Sequence, residues 1–528
     1  MPEGRFADGR HAGVLVPLCS IPSRISWGIG EIPDLPRFAR WLDEAGCDFV
    51  QLLPVNEMAD GQNSPYSALS AMAIDPIYIA VADVEEFIAA GGEVALPDAD
   101  RGALGQARVA PRVAYDTIRR IKSRALRAAF DRFERTEWQT HSSRATAFLD
   151  FMERERWWLD DYTLFRALHQ EHAGRYWLEW DDGLRDRQPE AIEHARVRLA
   201  REILYRAWLQ WTADEQWQRA RRYATPVGIF GDFPFVVSAH SADVWARQQE
   251  FRLDASVGTP PDAFSPTGQD WGLPVYRWDV IARGDFEWLQ QRARRSAALF
   301  DGFRVDHLVG FYRTYFRERD GRAAFVPSDE PSQTMQGERI LSVIAGSGAY
   351  IVAEDLGSVP DFVRESLARM RVPGYKVLRW EREWNVEGQP FKDPATFPAV
   401  SLATSGTHDT ETLAGWWDEA PLAERTYAVA LPSLHAAGCD PSLPFDDSLR
   451  DALLRELCGG GSNLVVVPVQ DIFGWRDRIN TPAVVDDINW TWRMPWPVDD
   501  LIVEQLPRER ASFLRELSSV CGRETPSP

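Results

Sequence analysis

Lysine is nearly missing from this chain: only Lys122, Lys376 and Lys392 are lysines among its 59 basic residues. Those 59 are outnumbered by 79 acidic residues, and the formal net charge is −20. A surface of that sign repels polyanions, whose capture rests on cationic contacts, which argues against nucleic acid and anionic membranes as partners. Cysteine is scarce too. Cys19, Cys47, Cys439, Cys458 and Cys521 are scattered, odd in number, and form neither a CxxC pair nor a ligand spacing with histidine. They read as reduced thiols, with no zinc site. No apolar run is long enough to span a bilayer, and residues 1–10 lack the apolar stretch of a secretion signal. The expected compartment is the cytoplasm. A glycine-rich phosphate loop is also lacking. Gly28-Ile29-Gly30 has no third glycine, which counts against a doubly wound dinucleotide-binding sheet.

What the chain does have is a succession of short apolar segments rich in β-formers, at 14–18, 48–55, 226–232, 302–307, 350–355, 375–380, 399–407 and 463–470. Several are apolar throughout, as strands buried on both faces are. Helical patterns fall between them, at 33–45, 198–224, 286–300, 360–370 and 447–458, with Pro33 and Pro360 placed as first-turn prolines and Gly46 as a C-terminal cap. Eight strands with interleaved helices predict an α/β fold, a (β/α)8 TIM barrel. The spacing is uneven. Residues 1–528 read as a single catalytic barrel. Within it, 56–225 is an inserted, mainly α-helical subdomain with helices near 118–133 and 145–168. A second insertion at 238–280, rich in Pro, Gly, Asp and Trp, reads as a long ordered loop over the cleft. After the eighth strand one clear helix, 508–520, precedes a polar tail, so no C-terminal β-sandwich domain is expected. The 22 tryptophans suit the flat faces of sugars, although most buried tryptophans merely fill cores.

Three acids close three of the predicted strands. Asp306 ends Phe303-Arg304-Val305-Asp306-His307, Glu354 ends Tyr350-Ile351-Val352-Ala353-Glu354, and Asp409 ends Ser405-Gly406-Thr407-His408-Asp409. An acid at the mouth of a buried strand costs desolvation energy unless it is paired, hydrogen-bonded or used. In a β/α barrel the strand mouths converge on one cleft, and two carboxylates across a sugar ring are the working parts of glycosidic bond cleavage. Arg304, two residues before Asp306, shares its face of the strand and would hold that carboxylate ionised and aimed. Glu354 would keep a proton because neighbouring carboxylates raise its pKa. Asp409 would grip ring hydroxyls near the oxocarbenium-like transition state, and His307 and His408 would donate hydrogen bonds to the same sugar.

The strings around Asp306, Ala353-Glu354-Asp355-Leu356-Gly357 and Thr407-His408-Asp409 resemble the signatures of the 4-α-glucanotransferases, the amylomaltases or disproportionating enzymes of the α-amylase clan. Ser64-Pro65-Tyr66 is similar to that family's sugar-stacking loop, and Gly231-Asp232-Phe233-Pro234 to its third-strand motif. The run from Pro260 through Asp262, Phe264, Gln269 and Trp271 to Gly272 is similar to its loop arching over the cleft. The resemblance runs in order from about Gly13 to Trp492. It implies Asp306 as nucleophile, Glu354 as general acid/base and Asp409 as transition-state stabiliser, with Arg304, His307 and His408 in support. It further implies substrate contacts at Ser64, Tyr66, Asp232, Asp262, Phe264, Gln269, Trp271 and Asn480. Leu273, Leu308, Thr410 and Ala483 depart from the family pattern and leave the acids untouched.

The implied reaction is transfer of α-1,4-glucan segments between maltooligosaccharides, by a retaining double displacement with carboxyls about 5–5.5 Å apart. It calls for no metal and no organic cofactor. The expected partners are α-1,4-glucans and maltooligosaccharides, handled by a monomer or weak homo-oligomer. An α-1,4-glucan hydrolase of the same clan and a non-catalytic glucan-binding protein are the alternatives.

Overall fold

The computed structural model describes residues 5–261, 268–482, 484 and 486–523. Eight parallel strands close into a barrel in chain order: His11–Leu15, Phe49–Gln51, Gly228–Phe233, Gly302–Val305, Tyr350–Ala353, Gly374–Val377, Ser401–Thr404 and Leu464–Pro468, the last pairing back onto the first. Seven are buried at every position, or nearly so, which is why their sequences run apolar without alternation. The first strand starts at His11, three residues before the predicted segment, and stops before Pro17. Proline cannot donate to the ladder, and Leu18–Ser20 turns into a 3₁₀ helix.

Two cores follow from this closure. The interior of the barrel is filled by Phe6, Phe49, Phe230, Tyr350, Tyr375 and aliphatic residues from the other strands. Phe49 and Phe230 stack at 4.5 Å, and Phe6 meets Phe230 edge-on at 4.8 Å, closing the N-terminal end. The larger core lies between the strands and the surrounding helices. Seven tryptophans (Trp27, Trp41, Trp177, Trp208, Trp217, Trp245 and Trp417) are wholly buried there, so they are packing residues.

The segment between the second and third strands is helical, with Tyr115–Phe133, Ser143–Glu171 and Ala200–Ala224 as its long members. Ser142 starts the second of these by accepting a hydrogen bond from the Ala145 N–H, 3.2 Å. Leu199 separates Ala200–Ala224 from a shorter helix, Pro189–Arg198, where a single run over 198–224 is the sequence expectation. Gly46 ends the first barrel helix, Leu35–Glu44, at φ +66°, a left-handed conformation that suits a residue without Cβ.

The expectation of a loop at 238–280 is corrected. Phe251–Thr259 and Gln269–Tyr276 pair antiparallel as a hairpin, and with Thr314–Glu318 and Ala323–Val326 they form a four-stranded sheet beside the barrel mouth. The β-branched and aromatic residues Val257, Val275, Tyr276 and Phe316 supply its packed face, while frequent Gly and Asp obscure the alternation that would have announced strands.

Candidate active site

Register brings the first two acids together. Gly302–Val305 and Tyr350–Ala353 pair so that Val305 faces Ala353, and Asp306 and Glu354 are the next residues on each strand. On the other side, Asp232 lies directly across from Arg304. The backbone pairing continues past the strand ends: the Asp306 N–H donates to Phe233 O (3.0 Å) and the Glu354 N–H to Val305 O (3.0 Å).

One guanidinium gathers the carboxylates. Arg304 donates through Nη1 to both Asp232 oxygens (3.0 and 2.8 Å), and its Nη2 lies 2.8 Å from Asp306 Oδ1 and 3.9 Å from Glu354 Oε2. The Phe235 N–H holds the other Asp306 oxygen at 3.2 Å. The His307 N–H donates to Glu354 Oε2 at 2.7 Å. His307 adopts φ +42°, a left-handed turn that costs a residue with a side chain some strain and swings its N–H towards Glu354.

Accessibility sorts the groups by role. The Asp409 side chain is 43% exposed and that of Asp306 24%, against 13% for Glu354, 7% for Arg304 and 0% for Asp232. Asp306 and Asp409 face the opening. Asp232 does not: its oxygens are taken by Arg304 and by the Tyr66 hydroxyl, which donates to Oδ2 at 2.8 Å. In place of the sugar contact expected for Asp232, the geometry gives it the task of holding Arg304 and Tyr66.

Asp409 approaches from the seventh strand. Its Oδ1 accepts a hydrogen bond from Asn480 Nδ2 at 2.6 Å, and its Oδ2 lies 3.3 Å from His408 Nε2. Tyr66 joins the two halves of the site, its hydroxyl 3.1 Å from His408 Nε2 and its ring stacked on the imidazole at 5.4 Å. His408 is buried and occupied by these partners, so it positions Asp409 and Tyr66, whereas the sequence expectation has it donating to sugar. His307 is packed between Phe235 (5.4 Å) and the edge of Trp271 (4.8 Å), and burial pushes its pKa down to about 4, which keeps it neutral.

The electrostatics separate the two acids that flank the site. The pKa of Glu354 is pushed up to about 8, first by burial and then by Asp306, with Arg304 opposing. Burial, which the sequence expectation omits, is the larger cause. Burial also works to raise Asp409, but His408, Asn480 and Arg304 together outweigh it and hold that carboxyl well below the usual range. Glu354 is therefore a protonated acid at neutral pH, while Asp409 is an anion.

Ser64 turns the loop that presents Tyr66: its hydroxyl oxygen accepts from the Tyr66 N–H at 3.4 Å. Gln269 and Trp271 lie on the hairpin strand beside the mouth, with Trp271 Nε1 donating to Gln269 Oε1 at 3.0 Å. Asp262, Phe264 and Ala483 lie outside the described residues. Leu308 is fully buried in the large core, and Leu273 packs against it. Thr410 closes the turn before Asp409 by accepting from the Thr407 N–H at 2.9 Å.

Three supporting residues escape the sequence reading. Asp471, in the short helix Val469–Phe473 that follows the eighth strand, accepts from Ser405 Oγ (2.6 Å) and from the Leu413 N–H (2.7 Å), pinning both ends of the loop that carries Asp409. Arg478 donates to the Asp409 carbonyl at 2.8 Å. Trp490 flanks the Tyr66–His408 pair at 5.8 and 5.7 Å. Asp471 follows a strand end as the three acids do; that was the available signal. Arg478 opens the string Arg478-Ile479-Asn480, and its place two residues before Asn480 was its signal; nothing local marks Trp490.

A family model described as 4-alpha-glucanotransferase matches residues 16–499. A 4-alpha-glucanotransferase of Synechocystis sp. is 33% identical over 525 residues, covering 97% of this chain and 98% of the relative. One from Thermus thermophilus is 32% identical over 534 residues, covering 97% and 99%. Among solved structures, the amylomaltase from Streptococcus agalactiae in complex with acarbose aligns with a TM-score of 0.82 at 26% identity, over 98% of this chain and 100% of that one.

Proposed function

The chain belongs to the 4-alpha-glucanotransferase family, an enzyme that transfers glucan segments, and from that premise we propose the residues that carry the transfer. Asp306 is the nucleophile, Glu354 the general acid and base, and Asp409 the stabiliser of the transition state. The observation that carries the reading is the single Arg304 nitrogen shared by Asp306 and Glu354, which draws together the pair that retention needs at about 5–5.5 Å.

In the first displacement Asp306 attacks the anomeric carbon of an α-1,4-glucan while Glu354 gives its proton to the departing oxygen. Arg304, 2.8 Å from its Oδ1, holds Asp306 aimed. Esterification then removes the negative charge of Asp306, one of the causes that raise Glu354, so Glu354 becomes the base the second step needs. It takes the proton from an incoming 4-hydroxyl as that oxygen replaces Asp306 at the anomeric carbon. Asp409, anionic and open to the cleft, accepts hydrogen bonds from ring hydroxyls as positive charge develops.

Water competes for the glycosyl enzyme. Transfer wins when the acceptor hydroxyl is held better than water can be, a proximity effect that falls to the segments around the mouth. The helical insertion at 56–225 supplies the loop of Ser64 and Tyr66, with Tyr66 stacking near the cleaved bond, and the overhang at 238–280 supplies Gln269 and Trp271 as acceptor-side contacts. The substrates are maltooligosaccharides and larger α-1,4-glucans. We assign the reaction to the cytoplasm, where the five free thiols stay reduced.

Incubation with maltotriose tests the reading. A ladder of longer chains with glucose is expected; shortening alone would place the chain among hydrolases. Glu354→Gln should lower the transfer rate by about 10²–10⁴-fold, and an unchanged rate would remove Glu354 from the role.

A further inference from the structure

Arg304 is not the only guanidinium that bears on Asp306. Arg292 lies on the helix Glu287–Leu299, which precedes the strand leading into Asp306. Its side chain is buried, with the guanidinium over the Phe233 ring at 3.9 Å. Its Nη1 has no hydrogen-bond partner among the described residues. A buried donor left unpaired costs free energy, and an apolar side chain would fill the same place without that cost. Packing alone therefore does not account for a guanidinium here. What it does is donate through Nη2 to the Pro234 carbonyl.

We propose that Arg292 is a positioning residue for the nucleophile, acting through the Pro234–Phe235 peptide. The Pro234 carbonyl and the Phe235 N–H belong to one amide group. A cation on an amide oxygen draws electron density from the N–H, which becomes the stronger donor. That N–H is the one holding Asp306 Oδ2, at 3.2 Å. Tyr276, on the hairpin beside the mouth, fixes the carbonyl that follows: its hydroxyl donates to Phe235 O at 2.8 Å. The peptide is thus gripped on both sides, by a helix and by the hairpin.

The two oxygens of Asp306 then have separate keepers. Arg304 Nη2 lies 2.8 Å from Oδ1, and the polarised N–H takes Oδ2. With both held, the plane of the carboxylate is fixed and its attacking oxygen stays aimed at the anomeric carbon. With the second bond slack, the carboxylate turns about its Cβ–Cγ bond and spends less time aimed. Arg292 and Tyr276 are both buried, so neither touches sugar, and both act through the peptide. The inference rests on Asp306 as the nucleophile, and it gives the hairpin a task besides contact with the acceptor.

The full chain is treated with a 5-fluoro maltooligosyl fluoride, whose departing fluoride needs no proton from Glu354 and whose ester on Asp306 turns over slowly. Protein mass follows ester formation and gives a first-order rate constant at saturating reagent. That constant does not depend on the fraction of protein that is folded, so a merely structural defect leaves it unmoved. Arg292→Met should lower it roughly tenfold, the low end for a charged hydrogen bond, with KM for maltotriose within about twofold. Arg292→Lys keeps a cation that donates and should recover to within about threefold of the unsubstituted protein. Tyr276→Phe loses one neutral bond and should cost about fivefold. An unchanged constant in Arg292→Met, an equal loss in Arg292→Lys, or a loss confined to KM would each overturn the proposal. Should Arg292→Met fail to fold, an unchanged constant in Tyr276→Phe overturns it. Asp306→Asn separates this proposal from the reading beneath it and should form no ester. An ester in that variant would remove Asp306 as nucleophile and the proposal with it, whereas an inert Asp306→Asn beside unaffected Arg292 variants would overturn the proposal alone.

Discussion

Glu354 and Asp409 differ in charge at neutral pH for reasons that lie within a few ångströms of each. Burial raises Glu354 to about 8, and it can act as an acid only while protonated, so its contribution is present below that pH and lost above it. The maltotriose kcat/KM should therefore be flat through neutrality and fall about tenfold per pH unit above about 8, as a single essential proton requires. A profile flat to pH 10 would contradict the assignment. Asp409 keeps its charge through partners, Asn480 among them. Asn480→Ala removes one charge-assisted bond, worth about 1.5–3 kcal/mol, so kcat should drop roughly 10–100-fold. KM for maltotriose should move less, because the lost bond serves the stabiliser more than the bound ground state.

At the level of elements, the strand ends and the segments between them do different work. Adjacent strands in register place Asp306 beside Glu354, and Tyr66, from the insertion, bridges Asp232 and His408 across the site. Tyr66→Phe keeps the ring on His408 and deletes the hydroxyl. The bond lost is to the carboxylate that pairs with Arg304, worth about 1.5–3 kcal/mol, which predicts a roughly 10–100-fold lower kcat with KM nearly unchanged. Trp271, on the hairpin, lies at the mouth against His307. Trp271→Ala should raise the ratio of hydrolysis to transfer, read as reducing ends formed per glucan transferred, because water gains access that the acceptor loses. An unchanged ratio would take the hairpin out of acceptor placement.

Across the whole molecule, a buried ion pair ties the insertion to the barrel. Lys122, one of the three lysines, sits on the helix Tyr115–Phe133 with its ammonium 2.6 Å from Glu31 Oε1. It also donates to the carbonyls of Ile77 (2.6 Å) and Ile79 (2.8 Å), and it is wholly enclosed. Arg119 with Asp75 (3.0 Å) and Arg166 with Glu57 (3.0 Å) tie the insertion to itself. Removing one partner of a buried pair strands the other, so Lys122→Met should cost about 3–5 kcal/mol in denaturant unfolding. A loss below about 1 kcal/mol, the worth of an exposed pair, would show that the clasp is solvated.

How much of this was legible depended on how local its cause is. The barrel could be read because strands buried on both faces must be apolar throughout, and the three acids because a carboxylate closing such a strand stands out against it. The hairpin at 251–276 was hidden because its Gly, Pro and Asp content, typical of loops, outweighed the short β-branched stretches that pair there. Asp232 illustrates the same limit. Its type and place at a strand were visible, but only the pairing with Arg304 and Tyr66 decides that it holds catalytic groups and does not face sugar. The sequence alone determined which residue types stand at the strand mouths, since periodicity and burial act over a few residues. Tertiary structure alone decided which carboxyl keeps its proton, because burial and charge pairing are set by segments far apart in the chain, from His307 beside Glu354 to Tyr66 beside His408.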